Sequence, residues 1–300
     1  MTDLISVIVT TYDREDALDA VLRTLSRQTD RRFEVIVADD GSGPATAALL
    51  EGWKPKLGVP LVHVRQEHRG FRAAEIRNRA LLVSQGAYCI FLDGDCLARP
   101  NFVAVHRRFA EHGWFVSGNR VLLSEVLTDF ALQPGQTPEL WTFVTWVGLR
   151  SYRAVNRVMP VLRLPLGPLR KLRPRQWEGA RSCNLGVWRS DLERIDGFDA
   201  AFNGWGREDS DLLVRLLHAG VRRKDGNFAT GVLHLWHPEA DRSSFEDNHD
   251  RLVDTLRSKR IVATIGVSAL GRADPGGSSL GDNGASAAEE QTERAAKGRD

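Results

Sequence analysis

The first third of the chain alternates apolar runs with amphipathic stretches, each apolar run ending in a polar cluster. Leu4–Thr10 is rich in β-branched residues and free of charge, the pattern of a strand buried on both faces. Asp13–Gln28 follows with Ala17, Leu18, Val21, Leu22 and Leu25 at helical spacing. Phe33–Ala38 is a second strand, Ala45–Glu51 a short helix and Leu61–Val64 a third strand. Arg72–Ser84 then reads as a helix and Ala87–Leu92 as a fourth strand. Such a βαβ series predicts an α/β protein with a mostly parallel central sheet and helices on both faces. Ligands of such sheets bind beyond the carboxyl ends of the strands. Thr10-Thr11-Tyr12-Asp13, Asp39-Asp40-Gly41 and Asp93-Gly94-Asp95 all fall at those ends.

Farther on, Pro100–His112 predicts a helix and Trp114–Asn119 a strand. The character changes between Leu140 and Trp177. This stretch has no acidic residue and carries Arg150, Arg153, Arg157, Arg163, Arg170, Lys171, Arg173 and Arg175 among Trp141, Phe143 and Trp146. It resembles a basic amphipathic surface for an anionic membrane. The alternative is a solvated insertion that packs its aromatics on the domain. Ser182–Trp188 and Val232–Trp236 predict strands; Arg189–Ile195, Asp209–Ala219 and Asp250–Ile261 predict helices. Beyond Ala269 the Gly-, Ala-, Ser- and Glu-rich chain has no periodicity. The expected organisation is one domain over residues 1–265, with a nucleotide-binding half (1–118), a basic and aromatic insertion (119–181) and an acceptor-binding half (182–265). A disordered tail is expected over 269–300.

Length and composition narrow the class. The 300 residues, 42% of them hydrophobic, suffice for a substantial core, and a formal charge of +2 suggests no nucleic-acid partner. Cys89, Cys96 and Cys183 have neither paired nor metal-ligand spacing, so free thiols in a reducing compartment are expected. The first residues carry no basic leader and no apolar run spans a bilayer, which points to a cytoplasmic location.

The chemistry concentrates in three places. Asp93-Gly94-Asp95 presents hard oxygen ligands suited to a divalent cation bridging two phosphates, although the same tripeptide is ordinary turn chemistry. Gly204-Trp205-Gly206-Arg207-Glu208-Asp209-Ser210-Asp211 joins three carboxylates to an aromatic face on which a sugar ring can stack. Adjacent Glu208 and Asp209 can serve as a general base and a hydroxyl grip if their environments differ; Asp211, inside the helix, suits a structural role. His234 and His237 can add imidazole nitrogens to a metal, though two histidines three apart on an extended segment need a bend to converge. Around these, Asp40 or its neighbour either caps a helix or accepts the imide N–H of uracil, with Thr10 and Tyr12 at the adjoining strand end. Among the arginines before the acidic cluster, Arg72 and Arg77 are the candidates for phosphate. The Asn184 amide either binds a sugar hydroxyl or closes a turn. Together these predict a metal-dependent transferase acting on a sugar nucleotide.

The pattern resembles the family 2 glycosyltransferases of the GT-A fold over residues 4–265. Val7–Asp13 is similar to the family's first strand, although asparagine is commoner at the position of Asp13. Val35–Ser42 is similar to its nucleobase turn and Asp93–Asp95 to its metal and diphosphate motif. The later half resembles galactosyltransferase-like members, the bacterial chondroitin-type polymerases and β-1,4-galactosyltransferases, which share a Trp-Gly-x-Glu-Asp loop followed by a metal-binding histidine. That resemblance implies inversion by one in-line displacement. Asp209 would be the base and Glu208 a grip on the acceptor; Trp205 would contact the donor diphosphate or the acceptor ring. Asp95 would bind Mn²⁺ or Mg²⁺, with Asp93 reaching the ribose or the metal through water. It further implies a UDP-sugar donor, with galactose or N-acetylgalactosamine favoured. The acceptor would be a surface glycan or a lipid-linked one, met peripherally on the inner face of the membrane. Two other classes compete. A nucleotidyltransferase would need a Gly-rich loop near a lysine where Thr10–Asp13 stands, and a non-catalytic sugar-binding subunit would not need the full carboxylate set.

Overall fold

The computed structural model describes residues 4–239 and 241–273. The first half alternates as its periodicity predicts: β1 (Ile5–Thr11), α1 (Glu15–Ser26), β2 (Phe33–Asp39), α2 (Pro44–Leu57), β3 (Leu61–Arg65), α3 (Ala73–Val83) and β4 (Tyr88–Asp93). Proline opens α2 at a position that lacks an intrahelical acceptor, and Gly58 ends it in the left-handed conformation at φ 70°. The remaining elements are β5 (Cys96–Leu97), α4 (Phe102–Phe109), β6 (Trp114–Ser117), β7 (Arg120–Leu122), α5 (Glu125–Leu132), α6 (Phe143–Ser151), β8 (Asn184–Trp188), α7 (Arg189–Arg194), α8 (Glu208–His218), β9 (Arg222–Asp225), β10 (Val232–His234), α9 (Phe245–Ser258) and α10 (Val267–Ala273).

Seven strands form the main sheet in the order β3-β2-β1-β4-β8-β6-β9. Strands β3, β2, β1 and β4 are parallel; β8 runs antiparallel to both β4 and β6, and β9 is parallel to β6. Each central strand is buried on both sides because its alternate side chains enter different cores. Val7, Val9, Val35, Val37, Ile90 and Leu92 face a core shared with Leu18, Val21 and Leu22 of α1. Ile8, Ile36, Cys89 and Phe91 face a second core with Ile76 of α3 and Leu212, Leu213 and Leu216 of α8. Helices thus cover both faces, and the apolar runs need no polar alternation.

Several elements escape hydrophobic patterning. Strand β9 is Arg-Arg-Lys-Asp, an edge strand whose charges are individually satisfied: Lys224 Nζ donates to the Phe109 carbonyl at 2.9 Å and to Glu111 at 2.6 Å. Charged edges block further strand pairing. A three-stranded sheet, β5-β10-β7, joins β10, which lies within the predicted Val232–Trp236 strand, to strands of two and three residues that carry no readable period. Helix α9 starts at Phe245, five residues before the expected Asp250. Helix α10 runs to Ala273, into the stretch read as aperiodic; residues 274–300 of the expected tail lie outside the described residues.

The basic stretch packs part of its aromatics on the domain and leaves other apolar residues exposed. Trp146 is buried and Trp141 packs on it, with ring centroids 5.5 Å apart. Val144, Tyr152, Leu169 and Leu172, in contrast, are exposed between the arginines. Arg170 is drawn inside, donating to the carbonyls of Asp225, Asn227 and Leu164 and lying 4.4 Å from the Phe109 ring centre, which ties the insertion to β9.

Helix α8 is anchored from beneath. Asp211 pairs with Arg215 at 2.7 Å, both side chains fully buried, and accepts from Thr255 of α9 at 2.8 Å. Removing one partner of such a pair strands a charge away from water. Asp211→Ala should therefore destabilise the fold by about 3–5 kcal/mol, measured by urea unfolding. A loss below 1 kcal/mol, on the order of an exposed pair, would contradict this.

Candidate active site

The carboxyl ends of β1, β2 and β4 converge on a shared rim. Gly94 N donates to Thr10 O at 2.8 Å, so the Asp93–Asp95 turn lies across the end of β1. A Cβ on Gly94 would stand 2.7 Å from that carbonyl, so a side chain there would push the acidic turn off the sheet. At the end of β2, Asp39 caps its own turn: its carboxylate accepts from Gly41 N, Ser42 N and His63 Nε2. Burial alone would raise its pKa, but His63 and Ser42 bring it below the usual range. Asp40 accepts from Gln66 Nε2 at 2.5 Å and from Arg72 N at 2.8 Å, and burial raises its pKa. Beside it Tyr12, 43% exposed, stacks on His68 with ring centres 4.2 Å apart.

Arg72 departs from expectation. Its guanidinium donates to Glu75 Oε2 and the Glu67 carbonyl, so the fork that would meet phosphate is committed within its own loop and helix. Its backbone N–H, not its charge, shapes the site by holding Asp40.

Arg77 is the centre of the arrangement. Only 4% exposed, it donates from Nε to Thr10 Oγ1 (3.1 Å), from Nη2 to Asp93 Oδ1 (3.2 Å) and from Nη1 to Glu208 Oε1 (3.3 Å). One planar fork thus joins the ends of β1 and β4 to the start of α8. With three protein partners, the Arg77 guanidinium is engaged in positioning Thr10 and the two carboxylates. Burial and the adjacent Asp209 push Glu208 up to about 7, against the pull of Arg77. Asp209, less buried, accepts from Ser210 N at 2.7 Å through Oδ1, and its Oδ2 has no hydrogen-bond partner among the described residues. The neighbours therefore differ: Glu208 is enclosed and held, Asp209 open. Gly206 (φ 107°) and Arg207 (φ 74°) turn the chain through left-handed conformations immediately before α8. That turn sets both carboxylates at a helix N-terminus, whose dipole favours negative charge. Trp205 stands on the same loop, stacked 6.0 Å from Phe245 with Arg242 over its face.

The histidines arrive through the small sheet. In the antiparallel β5–β10 register His234 pairs with Cys96, and Leu235 N donates to Asp95 O at 2.9 Å. His234 Nε2 lies 3.5 Å and His237 Nε2 3.4 Å from the same oxygen, Asp95 Oδ2. The bend after β10 thus brings both imidazoles to one carboxylate. His237 Nδ1 lies 2.7 Å from Pro238 O, which can only accept, so Nδ1 holds a proton and a neutral ring turns a bare Nε2 toward the carboxylate. Burial lowers His234 and favours its neutral form. A bare Nε2 facing an anion repels it unless a proton or a cation lies between them. The residues present therefore fit a divalent cation held by Asp95, His234 and His237. Cys96 and Cys183 also reach this corner: the ligand atoms of Asp93, Cys96 and Cys183 lie within 4.8 Å of one another. Burial raises Cys96 well above its ordinary value, so that thiol is protonated. No spacing in the sequence signals this approach.

Asn184 is a correction. It is fully buried; its Nδ2 donates to the carbonyls of Asn119 (3.0 Å) and Thr230 (2.6 Å), and its Oδ1 accepts from His106 Nε2 at 3.1 Å. Both amide protons are engaged, so Asn184 braces the loops around β8 and does not bind a sugar hydroxyl.

The raised Glu208 fixes a pH dependence. A native carboxyl at about 7 against 4.5 favours the protonated acid, so its stabilising contribution is complete below 4.5 and lost as pH rises through about 7. Glu208→Gln, which keeps an acceptor for Arg77 without the titration, should match wild type at low pH. In metal-free buffer it should gain on the order of 2 kcal/mol over wild type by pH 8. Thermal unfolding across pH 4–8 measures this, and a pH-independent gap would refute it.

Comparison with known proteins agrees with this layout. Residues 6–152 match the sequence family described as glycosyl transferase family 2, and residues 170–238 match that described as the N-terminal domain of galactosyltransferase. Validoxylamine A glucosyltransferase of Streptomyces hygroscopicus subsp. limoneus is 29% identical over 269 residues, covering 83% of this chain and 56% of that protein. Chondroitin synthase of Pasteurella multocida (strain Pm70) is 27% identical over 251 residues, covering 75% of this chain and 24% of that protein. The chain thus spans little more than half of the first relative and a quarter of the second. The structure of GalNAc-T7 with UDP, GalNAc and Mn²⁺ superposes with a TM-score of 0.59 at 18% identity, covering 85% of this chain and 48% of that one, and shares its fold. On these matches and its GT-A architecture, the chain belongs to the family 2 glycosyltransferases, with a galactosyltransferase-type match over residues 170–238.

Proposed function

We propose that this chain transfers a hexose from a UDP-sugar to a glycan or lipid-linked hydroxyl with inversion, in a reaction that depends on Mn²⁺ or Mg²⁺. The observation that carries the reading is the Arg77 bridge, which couples Asp93 on the nucleotide side to Glu208 beside the open carboxylate of Asp209. Uracil would lie against Tyr12 with its imide N–H toward Asp40, whose two oxygens each accept one bond and retain lone pairs. Asp95, His234 and His237 would hold the cation, which supplies positive charge to the departing diphosphate. Their mixed oxygen and nitrogen donors favour Mn²⁺ over Mg²⁺. Asp209 would take the proton of the acceptor hydroxyl as its oxygen bonds to the anomeric carbon; the bond from that carbon to the phosphate oxygen breaks, and UDP leaves with the electron pair. Glu208, enclosed and held by Arg77, would grip a neighbouring acceptor hydroxyl, and Trp205 would provide a face for the sugar. Galactose or N-acetylgalactosamine is the proposed donor sugar, supported by the galactosyltransferase-type segment.

Asp209→Asn should lower kcat by roughly 10²–10⁴-fold with unchanged UDP affinity, since it removes only the base. Near-normal transfer by the folded variant would overturn the assignment. His234→Ala and His237→Ala should each raise the Mn²⁺ concentration needed for half-maximal activity by at least about tenfold; activity unaffected by metal chelation would reject the cation.

No described helix is long and apolar enough to cross a membrane. The exposed Val144, Tyr152, Leu169 and Leu172 among arginines support peripheral contact with an anionic membrane surface. The protein should co-sediment with phosphatidylserine-rich vesicles at low salt and be released at high salt. Failure to bind at low salt would remove this part of the reading.

A further inference from the structure

A cavity of about 490 Å³ lies on the opposite side of β4 from the nucleotide end, and six of its lining residues are arginines. It is bounded by the turn after β6, the end of β9, the segment before β8 and the basic insertion. Its size suits a sugar ring and not a membrane plane. Two of the arginines are tied into its walls: Arg170 donates from Nη1 and Nη2, and Arg223 from Nη1, to backbone carbonyls. The others keep donors free. Arg157 bonds only through Nε, to Arg120 O, and Arg173 reaches Gln176 at 3.5 Å; the Arg120 and Arg181 guanidiniums have no hydrogen bond among the described residues. Asp225 is the one acidic residue in the lining, and its carboxylate is taken by Asn227 N and Nδ2.

The cavity adjoins the reaction centre. Cys183 lines it and also approaches Asp93 and Cys96. Burial opposes the charge of the partly buried Arg120, and the nearby carboxylates of Asp93 and Asp95 favour it. A concave site in which four arginines keep donors free, whose one acid already accepts two hydrogen bonds, and which reaches Asp93 through Cys183, is electrostatically suited to an oxyanion. The donor diphosphate is already provided for by the cation cradle, and the nucleoside by the ends of β1 and β2.

We infer that this pocket is the acceptor subsite and that it selects acceptors carrying an oxyanion close to the attacked hydroxyl, either a uronate carboxylate or a sugar-linked phosphate. The inference rests on the proposed transferase reading for the word acceptor, but anion binding can be measured without turnover. Calorimetry with methyl β-glucuronide, glucose 1-phosphate and neutral methyl β-glucoside tests it on the full chain. At least one charged probe should bind about tenfold tighter than the glucoside, the scale of a charge-assisted contact, and the tighter of the two names the source of the anion. The double variant Arg157→Gln/Arg181→Gln, both residues on the exposed lip, should abolish that preference. Equal binding of charged and neutral probes would overturn the proposal. So would an equal weakening of UDP by the double variant, which would give the pocket to the donor. If UDP-sugars are never hydrolysed while the charged probe still binds, the transferase reading fails and the anion pocket stands.

Discussion

One buried guanidinium holds the candidate site together. Arg77 lies where β1, β4 and α8 meet and gives each a separate donor, through Thr10, Asp93 and Glu208. A charge so enclosed is tolerable only when it is paired, and carboxylates so enclosed only when they are answered. The constraint is therefore mutual: the sheet ends place the arginine, and the arginine fixes how far α8 stands from the sheet. A lysine would supply the charge without the planar fork that reaches three partners at once. The field it creates is uneven. Glu208 sits inside it and is enclosed, while the adjacent Asp209 is less buried and keeps an oxygen without a hydrogen-bond partner among the described residues, so two neighbouring acids acquire different surroundings from the backbone turn that precedes them.

The small sheet does for the cation corner what Arg77 does for the carboxylates. Two residues of β5 pair with β10, and that register alone sets His234 across from Cys96 and beside Asp95. A slip of one residue would turn His234 to the other face. Pro238, whose carbonyl meets His237 Nδ1, orients the second ring from outside the sheet.

Legibility in the sequence followed physical period. Strands β1, β2 and β4 are buried on both faces and stand out as apolar runs, so the parallel half was readable, and with it the polar clusters at its strand ends. Strand β9 was not, because its side chains are all charged and its burial depends on partners distant in sequence, such as Glu111 for Lys224. Among the candidate site residues, Asp93, Asp95, Glu208, Asp209 and the histidines could be picked out because the proposed chemistry calls for those residue types. Their convergence could not: nothing near His237 says that a bend will aim it at Asp95. Asn184 misled for the same reason, since an amide reads alike whether it meets a ligand or two carbonyls. The free arginines of the cavity were hidden in a run of bases whose composition also describes an ordinary solvated surface.

Strands β6 and β8 are hydrogen-bonded neighbours, and Gly118 N donates to Asn184 O across their ends. The chain therefore leaves the sheet at Ser117 and re-enters beside its point of departure, making residues 118–183 a closed excursion clamped at its base. Loop-closure entropy depends only weakly on length once the ends are fixed. Val121, Leu127, Trp146, Val155 and Val161 of this excursion pack into the same core as β1 and α1, so only its exposed turns can be lengthened or exchanged with little penalty to the sheet that carries the carboxylates. Variation confined to those turns can therefore reshape the cavity wall while the shared core keeps the carboxylates in place.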